Sequence, residues 1–522
     1  MSVLLGLDVH GIQSYLFATS KLREIIGASR IVDDFTGAEP SDQPSIVLKR
    51  MGLTPCNSGS PVGDSWYIVV RLGGGVVRLL LPNATFAQEF VGQLSVWAIE
   101  HATSLEYDAA SVPFDLETGS LADAQEKLVE AIYQQRAHAN RGGGFNGFPF
   151  SAPCSLTGDP AGGYTRKSNE RLCDASLDKR AYQELTDRQD MWAVILEGAA
   201  ILQAPHLKDK RHPFLFDTED FGTEDSKGSY MAVLAIDLNG LGEAGRQKTG
   251  AARGALAAHA FRSFSKDVTD ATRAAFRAAL DAMASNDLYS YHIVEDSVRN
   301  CGRLPIRPLV FGGDDLTFVL DARLAVAFAS VMMRHFESLN FKGAAGIAFV
   351  KSKSPFNRAI DLAESLVASG KIEGRDQSRI DFMLCSGEIP GSALEGRSDR
   401  ERDDCTLTGA PYTLDAFAAL VTDARELTCL SRSHIRGAVD HYRSGGTLAG
   451  HKALNDLREN LERGLGNDRA LEPHRRAALK SLLETKFIND EKGPKPRTRF
   501  LDCVDLFRFI QTSKDTSSQE AR

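Results

Sequence analysis

Long apolar runs are missing from this sequence, and so is a basic leader. The opening MSVLLGLDVHG carries no Lys or Arg, and its apolar run is broken at Asp8. Such a start does not read as a secretory signal, and no segment reaches the ~20 apolar residues of a membrane-spanning helix. A cytoplasmic chain with no membrane partner is expected. Paired cysteines are also missing. The eight cysteines are scattered without a C-x-x-C pair, which reads as reduced thiols rather than a disulfide frame. The third absence is an excess of positive charge. A net charge of −8 gives no global basic field for a long nucleic acid and leaves only local patches. What remains is ordinary soluble protein, 43% hydrophobic and 25% charged. Its 522 residues are too many for one core, so about three domains are expected.

The most informative stretch is PLVFGGDDLTFVL, from Pro308 to Leu320. Two apolar runs flank Gly312, Gly313, Asp314 and Asp315, a strand–turn–strand pattern in which both glycines can take positive φ. Two adjacent carboxylates at a hairpin tip repel each other unless a cation lies between them. Hard divalent ions that also hold phosphates meet that need. Taken alone, the stretch fits a solvated Gly-Asp turn equally well.

A repeat favours the first reading. The first part of the chain runs strand, helix, hairpin, helix, strand, helix. Strands are expected at Val3–Val9, Trp66–Leu72, Val76–Leu81 and Leu105–Phe114, with a helix over Ile12–Phe35. The segment 36–64 reads as loop with a strand at Ile46–Leu48. The same order returns from Met231, through a long Ala-rich helix, the hairpin, a helix from Ala322 and a strand from Gly343. LLGLDVHG (Leu4–Gly11) aligns with VLAIDLNG (Val233–Gly240), placing Asp8 opposite Asp237. RLGGGVVRLLL (Arg71–Leu81) aligns with VFGGDDLTFVL (Val310–Leu320), placing Gly75 opposite Asp314 and Val76 opposite Asp315. The second copy therefore has three carboxylates where the first has one. Such a trio can hold two Mg²⁺ ions, one at an attacking hydroxyl and one on a triphosphate. The first copy is expected to hold a nucleotide without metal chemistry.

Five regions follow: a non-catalytic copy over 1–140, an irregular insert over 141–228 with Cys154 and Cys173, the second copy over 229–386, a helical domain over 387–511, and a disordered tail over 512–522. The two cysteines lack further partners at metal spacing, so zinc is not expected in the insert. Lys371 and Arg375 end a helix of the second copy; they compensate the helix dipole or hold β- and γ-phosphates.

With those residues in hand, the chain resembles the large signalling subunit of type III CRISPR effector complexes. The resemblance rests on HGIQSYLFATSKLREIIGAS (His10–Ser29), RLGGGVVRLLLPN (Arg71–Asn83), PCSLTGDPA (Pro153–Ala161), IDLNGLG (Ile236–Gly242), FGGDD (Phe311–Asp315), AGIAFVKSKSPFNRAIDLAESLVASGK (Ala345–Lys371) and GAPYTLDAF (Gly409–Phe417). It implies an α+β chain of two ferredoxin-like, GGDEF-related Palm domains, an insert and a C-terminal helical domain. It also implies a nucleotidyltransferase that joins ATP and closes it into cyclic oligoadenylate, using Mg²⁺ or Mn²⁺ on Asp237, Asp314 and Asp315. Lys371 would hold phosphate, and Gly312 and Gly313 would let the hairpin approach the nucleotide. Ser29, Gly73 and Gly74 would help place a second ATP. Other effector subunits and guide or target RNA are implied as partners. The sequence departs from the family in having no HD nuclease domain before the first Palm, so DNA cleavage is not expected. It is also short for the family, as a minimal or stand-alone relative would be. Two rival readings stay open: a non-enzymatic scaffold subunit, and a GGDEF-type cyclic dinucleotide synthase.

Overall fold

Two sheets with a shared strand order carry the fold. The computed structural model describes residues 1–138, 151–186 except 167 and 168, 230–284, 303–427 except 399 and 402–405, and 498–510, with shorter stretches between 196 and 221 and between 435 and 459. The chain forms two compact units. One comprises Met1–Glu197, Gly240–Ala274 and Pro308–Thr317; the other comprises Gly198–Asn239, Ala275–Arg307 and Phe318–Arg522.

The first unit opens with β1 (Val3–Val9), α1 (Ile12–Leu16), α2 (Leu22–Thr36), α3 (Gln43–Arg50), β2 (Thr54–Pro55), β3 (Trp66–Gly73), β4 (Val76–Leu81), α4 (Ala84–His101), β5 (Tyr107–Pro113) and α5 (Leu121–His138). The sheet order is β2-β3-β4-β1-β5. The central strand β1 is apolar on both faces because both faces are covered. Leu5, Leu7 and Val9 join Phe35 of α2 and Phe90 of α4 in one core. Leu4 joins Leu128 of α5 in the other. Asn83 caps α4, its side chain accepting from the N–H groups of Thr85 (3.0 Å) and Phe86 (3.1 Å).

Three expectations are corrected in this unit. The helix over Ile12–Phe35 is two helices, α1 and α2, separated by residues 17–21. Thr19 and Ser20 lie in that break, and such side chains compete for backbone partners and favour turns. The strand at Ile46–Leu48 is helix α3, which starts with Asp42 at its N-cap and Pro44 in its first turn. Pro is preorganised for that position, and Pro44, Val47 and Leu48 fall on one buried face at helical spacing. The insert also has more order than expected. It forms a hairpin of β6 (Gly163–Thr165) and β7 (Glu170–Leu172), followed by α6 (Asp174–Thr186). This helix packs closely on α2, where a Cβ on Gly27 would lie 1.7 Å from the carbonyl oxygen of Lys179. The buried Glu24 accepts from Ser176 (3.2 Å) and Arg180 (2.8 Å) across that contact. Cys154 and Cys173 are buried together with Leu172.

The second repeat begins with β8 (Tyr230–Leu238), α7 (Leu241–Thr249) and α8 (Gly254–Ala284). It continues with β9 (Ile306–Gly312), β10 (Asp315–Asp321), α9 (Ala322–Ser338), β11 (Gly343–Lys351), α10 (Phe356–Ile372) and β12 (Arg379–Leu384). Then come α11 (Ala393–Gly396), β13 (Tyr412–Thr413), α12 (Leu414–Leu427) and α13 (Phe500–Phe507). Its sheet runs β13-β12-β11-β8-β10-β9. Without the added strands at one edge, the order β11-β8-β10-β9 matches β5-β1-β4-β3 of the first sheet, which is the ferredoxin-like strand order. β12 was not expected from the sequence; it pairs in parallel with β11. In the core Phe276 stacks on Phe318 and Phe328 meets both edge-on, with centroids 5.3 to 6.0 Å apart.

Ion pairs tie down helix α13: Asp502 and Asp505 both take Arg400, and Arg499 at its N-cap pairs with Asp423. Asp502, 1% exposed, accepts from Arg400 (2.6 Å), Thr408 (2.9 Å), the Gly409 N–H (2.9 Å) and the Tyr412 hydroxyl. Burial and the neighbouring Asp502 push the Tyr412 phenol well above its usual pKa. The start of the insert over 139–150, most of the expected helical domain between 428 and 497, and the tail over 512–522 lie outside the described residues. No helix among the described residues is long and apolar enough to cross a membrane.

Candidate functional site

Both hairpins have two-residue tips in the same register of the repeat. Gly74 and Gly75 connect β3 to β4; Gly313 and Asp314 connect β9 to β10. In the first hairpin Gly74 (φ +63°) and Gly75 (φ +76°) are both left-handed, the pairing a tight hairpin turn needs. A Cβ on Gly75 would lie 2.2 Å from Ile12 Cδ1. The Gly75 N–H also donates to Thr36 Oγ1 at 3.1 Å. An aspartate there would have to hold a left-handed φ and push Ile12 aside, so the first copy's turn disfavours the carboxylate that the second copy carries. In the second hairpin only Gly313 is left-handed, at φ +58°. Gly312 is not, contrary to the sequence expectation. It lies instead against the other hairpin, where its Cβ would be 3.5 Å from Gly74 Cα.

The first unit thus contains both tips. Thr272 of α8 donates to the Gly313 carbonyl at 2.5 Å and fixes the second tip. Arg71, near the end of β3, approaches Asp314, with 3.7 Å between Nη2 and Oδ1 and both side chains nearly two-fifths exposed. Asp315, the first residue of β10, is exposed.

Asp237 lies in the second unit, one residue before the end of β8 and opposite Ala344 of β11. Lys371, in the last turn of α10, donates to its carboxylate. The sequence assigned these two different roles, a metal ligand and a phosphate holder; they form an ion pair. Arg375 is exposed beyond that helix, and its carbonyl accepts from the Asn239 side chain at 3.4 Å. Ser29 is half-buried in the middle of α2.

In the first copy the one remaining carboxylate, Asp8, is met by a guanidinium from within the fold. Arg78 of β4 lies opposite Gly6 of β1, where no side chain obstructs it. It reaches Asp8, two residues along the same face, with hydrogen bonds of 2.5 and 3.0 Å. It donates as well to the Leu7 carbonyl at 3.2 Å. Sequence reasoning missed Arg78, although its alignment opposite Thr317 was a readable signal.

Among the described residues, no three His, Cys, Asp or Glu side chains gather closely enough to hold a metal ion. The Cys154 thiol is opposed by burial, yet hydrogen bonds from Thr157 and from nearby backbone N–H groups bring it down to about 7. Asp237, Asp314 and Asp315 offer hard carboxylate oxygens. Such donors suit Mg²⁺ or Mn²⁺, and Lys371 and Arg71 already set positive charge beside two of them.

Fold and site define an α+β chain with a duplicated ferredoxin-like sheet, one hairpin glycine-tipped and the other bearing two aspartates. No protein-family model matches the sequence, and no curated protein matches it at a significant level. Solved structures do share the fold. A Csm1–Csm4 cassette in complex with pppApA aligns over 98% of this chain and 69% of that one, with a TM-score of 0.54 and 13% identity. The cassette in complex with cA4 aligns over 97% and 69%, with a TM-score of 0.52 and 14% identity. The Csm1–Csm4 subcomplex of the type III-A CRISPR-Csm interference complex aligns over 92% and 70%, with a TM-score of 0.50 and 13% identity.

Proposed function

We propose that this chain is a nucleotidyltransferase that joins ATP through 3′–5′ links and closes the product into cyclic oligoadenylate, in type III CRISPR-like anti-phage defence. The observation that carries the reading is the likeness of fold, over nearly the whole chain, to a Csm1–Csm4 cassette in complex with pppApA. The two hairpin aspartates, present only in the second copy, support it. In this reading the two repeats are Palm domains over 1–140 and 229–386, and 387–511 is a helical domain.

Asp237, Asp314 and Asp315 would hold Mg²⁺ or Mn²⁺, which when bound supplies charge to neutralise a triphosphate and acidifies the attacking hydroxyl. Lys371, displaced from Asp237, holds a phosphate oxygen as a mobile point charge, and Arg375 serves the same phosphates. At Gly312 and Gly313 the nucleotide approaches the backbone with no side chain between. Ser29, Gly73 and Gly74 border the second ATP. Other CRISPR effector subunits and guide or target RNA are the partners in this reading.

The test is mass spectrometry of products formed from ATP with Mg²⁺ or Mn²⁺. Cyclic 3′–5′ oligoadenylate is expected. Asp314→Asn with Asp315→Asn should keep the circular-dichroism spectrum and lose joining by about 100-fold or more, the scale of removing transition-state charge stabilisation. A folded double variant with full turnover overturns the assignment. A silent scaffold subunit is the second reading, favoured by the ion pairs at Asp237 and Asp314. It predicts no product from any nucleoside triphosphate.

A further inference from the structure

The insert folds around a small core of its own. Cys154, Leu172 and Cys173 are buried together, with Leu156, Ala175 and Leu177 packed against them. The Ser155 N–H donates to the Arg171 carbonyl at 2.8 Å, and the Ser155 hydroxyl accepts from the Arg171 N–H at 3.1 Å. That pairing lays Cys154 beside Cys173. The two thiols also share a neighbour. The Thr157 hydroxyl lies 3.7 Å from the Cys173 sulfur and bonds to the Cys154 sulfur, which the Cys173 N–H reaches as well. Ser176 accepts from the Cys173 thiol at 3.5 Å. Each cysteine is thus followed, three residues on, by a hydroxyl at its own sulfur. Two thiols and two hydroxyls are a poor set for a structural zinc, which needs four thiolate or imidazole ligands. They suit sulfur chemistry better. Burial works against ionising Cys154, but the hydrogen bonds outweigh it and bring the thiol down to about 7. A thiolate is the nucleophile in disulfide formation. The cover over the pair is thin, because Pro153 and Ser155 on either side of Cys154 are exposed, as are Gly158, Asp159 and Pro160. Neither thiol belongs to the two main cores of the unit, so this loop can open without disturbing them.

We infer that Cys154 and Cys173 are a redox pair, which a peroxide converts to a disulfide and a dithiol restores. The Cys154 thiolate attacks a peroxide oxygen, the O–O bond breaks, and the departing hydroxide takes up a proton to become water. The Cys173 sulfur then attacks the resulting sulfenic acid. An S–S bond forms, the S–O bond breaks, and the thiol proton leaves with the hydroxyl as a second water. The two sulfurs give up two electrons and the peroxide accepts them. The bridge ties the loop to the start of α6. It also removes the proton that Cys173 gives to Ser176, whose own hydroxyl donates to Glu24 of α2 at 3.2 Å. The inference does not rest on the nucleotide chemistry proposed above.

The experiment is peptide mass spectrometry of the full chain, reduced, freed of metal with EDTA, treated with hydrogen peroxide and alkylated after denaturation. A Cys154–Cys173 cross-link is expected, reversed by dithiothreitol and formed before the more exposed Cys56 is oxidised. Thr157→Val removes the shared hydroxyl and should slow the cross-link several-fold, together with alkylation of Cys154 by iodoacetamide. Cys173→Ser keeps a hydroxyl in place and should leave Cys154 to run on to sulfinic acid. Sulfinic acid at Cys154 of the unaltered chain, with Cys173 still free, overturns the pair. So does a Cys154 that stays reduced at peroxide levels that oxidise Cys56. Stoichiometric zinc in protein purified without EDTA, lost in Cys154→Ser, overturns it as well, because the thiols would then be metal ligands.

Discussion

Asp8 and Arg78 show how one side chain changes the chemistry of a duplicated strand. A carboxylate at the end of β1 needs a positive neighbour, and Arg78 supplies it from within the fold. Removing one partner of a largely buried pair leaves the other charge uncompensated. Arg78→Met should therefore destabilise the protein by about 2–3 kcal/mol, measured as a lower urea midpoint at unchanged slope. The double variant Asp8→Asn with Arg78→Met should recover much of that loss. If Arg78→Met costs nothing, the pair is solvated and does not substitute for a cation. The asymmetry was legible in sequence, since Gly75 and Val76 stand opposite Asp314 and Asp315. Its physical reasons were not. Ile12 crowding Gly75, and Arg78 reaching past Gly6, are contacts between residues far apart in the chain, and no local pattern reports them.

At the scale of elements, α2 anchors the first hairpin, because Thr36 at its end receives the Gly75 N–H. The same end carries a cluster of acids around Arg30, which donates to Asp34 at 2.8 Å and Asp42 at 3.5 Å. Burial pushes Asp42 up to about 7, against the Glu39 N–H and Arg30, which pull it down. Burial likewise pushes Asp33 up to about 7. A carboxyl whose pKa is higher in the folded state favours folding most when protonated. Its stabilisation is complete below the unfolded value near ~4 and is lost as pH rises towards the folded value. Asp42→Asn keeps the shape and cannot ionise, so it should flatten the fall in melting temperature across that window. An unaltered pH profile would show that Asp42 does not titrate there. The element reading from sequence succeeded where periodicity was long, as in α4, α5 and α9. It failed for α3, where the β-branched Ile46 and Val47 look like strand until Pro44 is read as a first-turn residue. It also missed β12, whose six residues are short and mostly buried and carry no alternation.

For the whole molecule, the strand order was recoverable because the repeat fixed it twice. The proposed function makes the two copies of one chain a complete catalyst. Specific activity should then stay constant on dilution across roughly a hundredfold range of enzyme concentration. A GGDEF-type synthase with one half-site per chain would lose activity as dimers dissociate. Activity that falls with dilution, alongside dimers in sedimentation, would favour that alternative. Each compact unit is assembled from three separate stretches of chain, and the second hairpin's tip, within Pro308–Thr317, is grouped with the first repeat. Gene duplication normally leaves two copies free to diverge, and an idle copy is open to deletion. Here a deletion of the first repeat would strip the aspartate-bearing tip of Arg71, Gly74 and the rest of its unit. Selection on the second copy therefore preserves the first, and lineages of this fold should lose the glycine hairpin only together with the aspartates it supports.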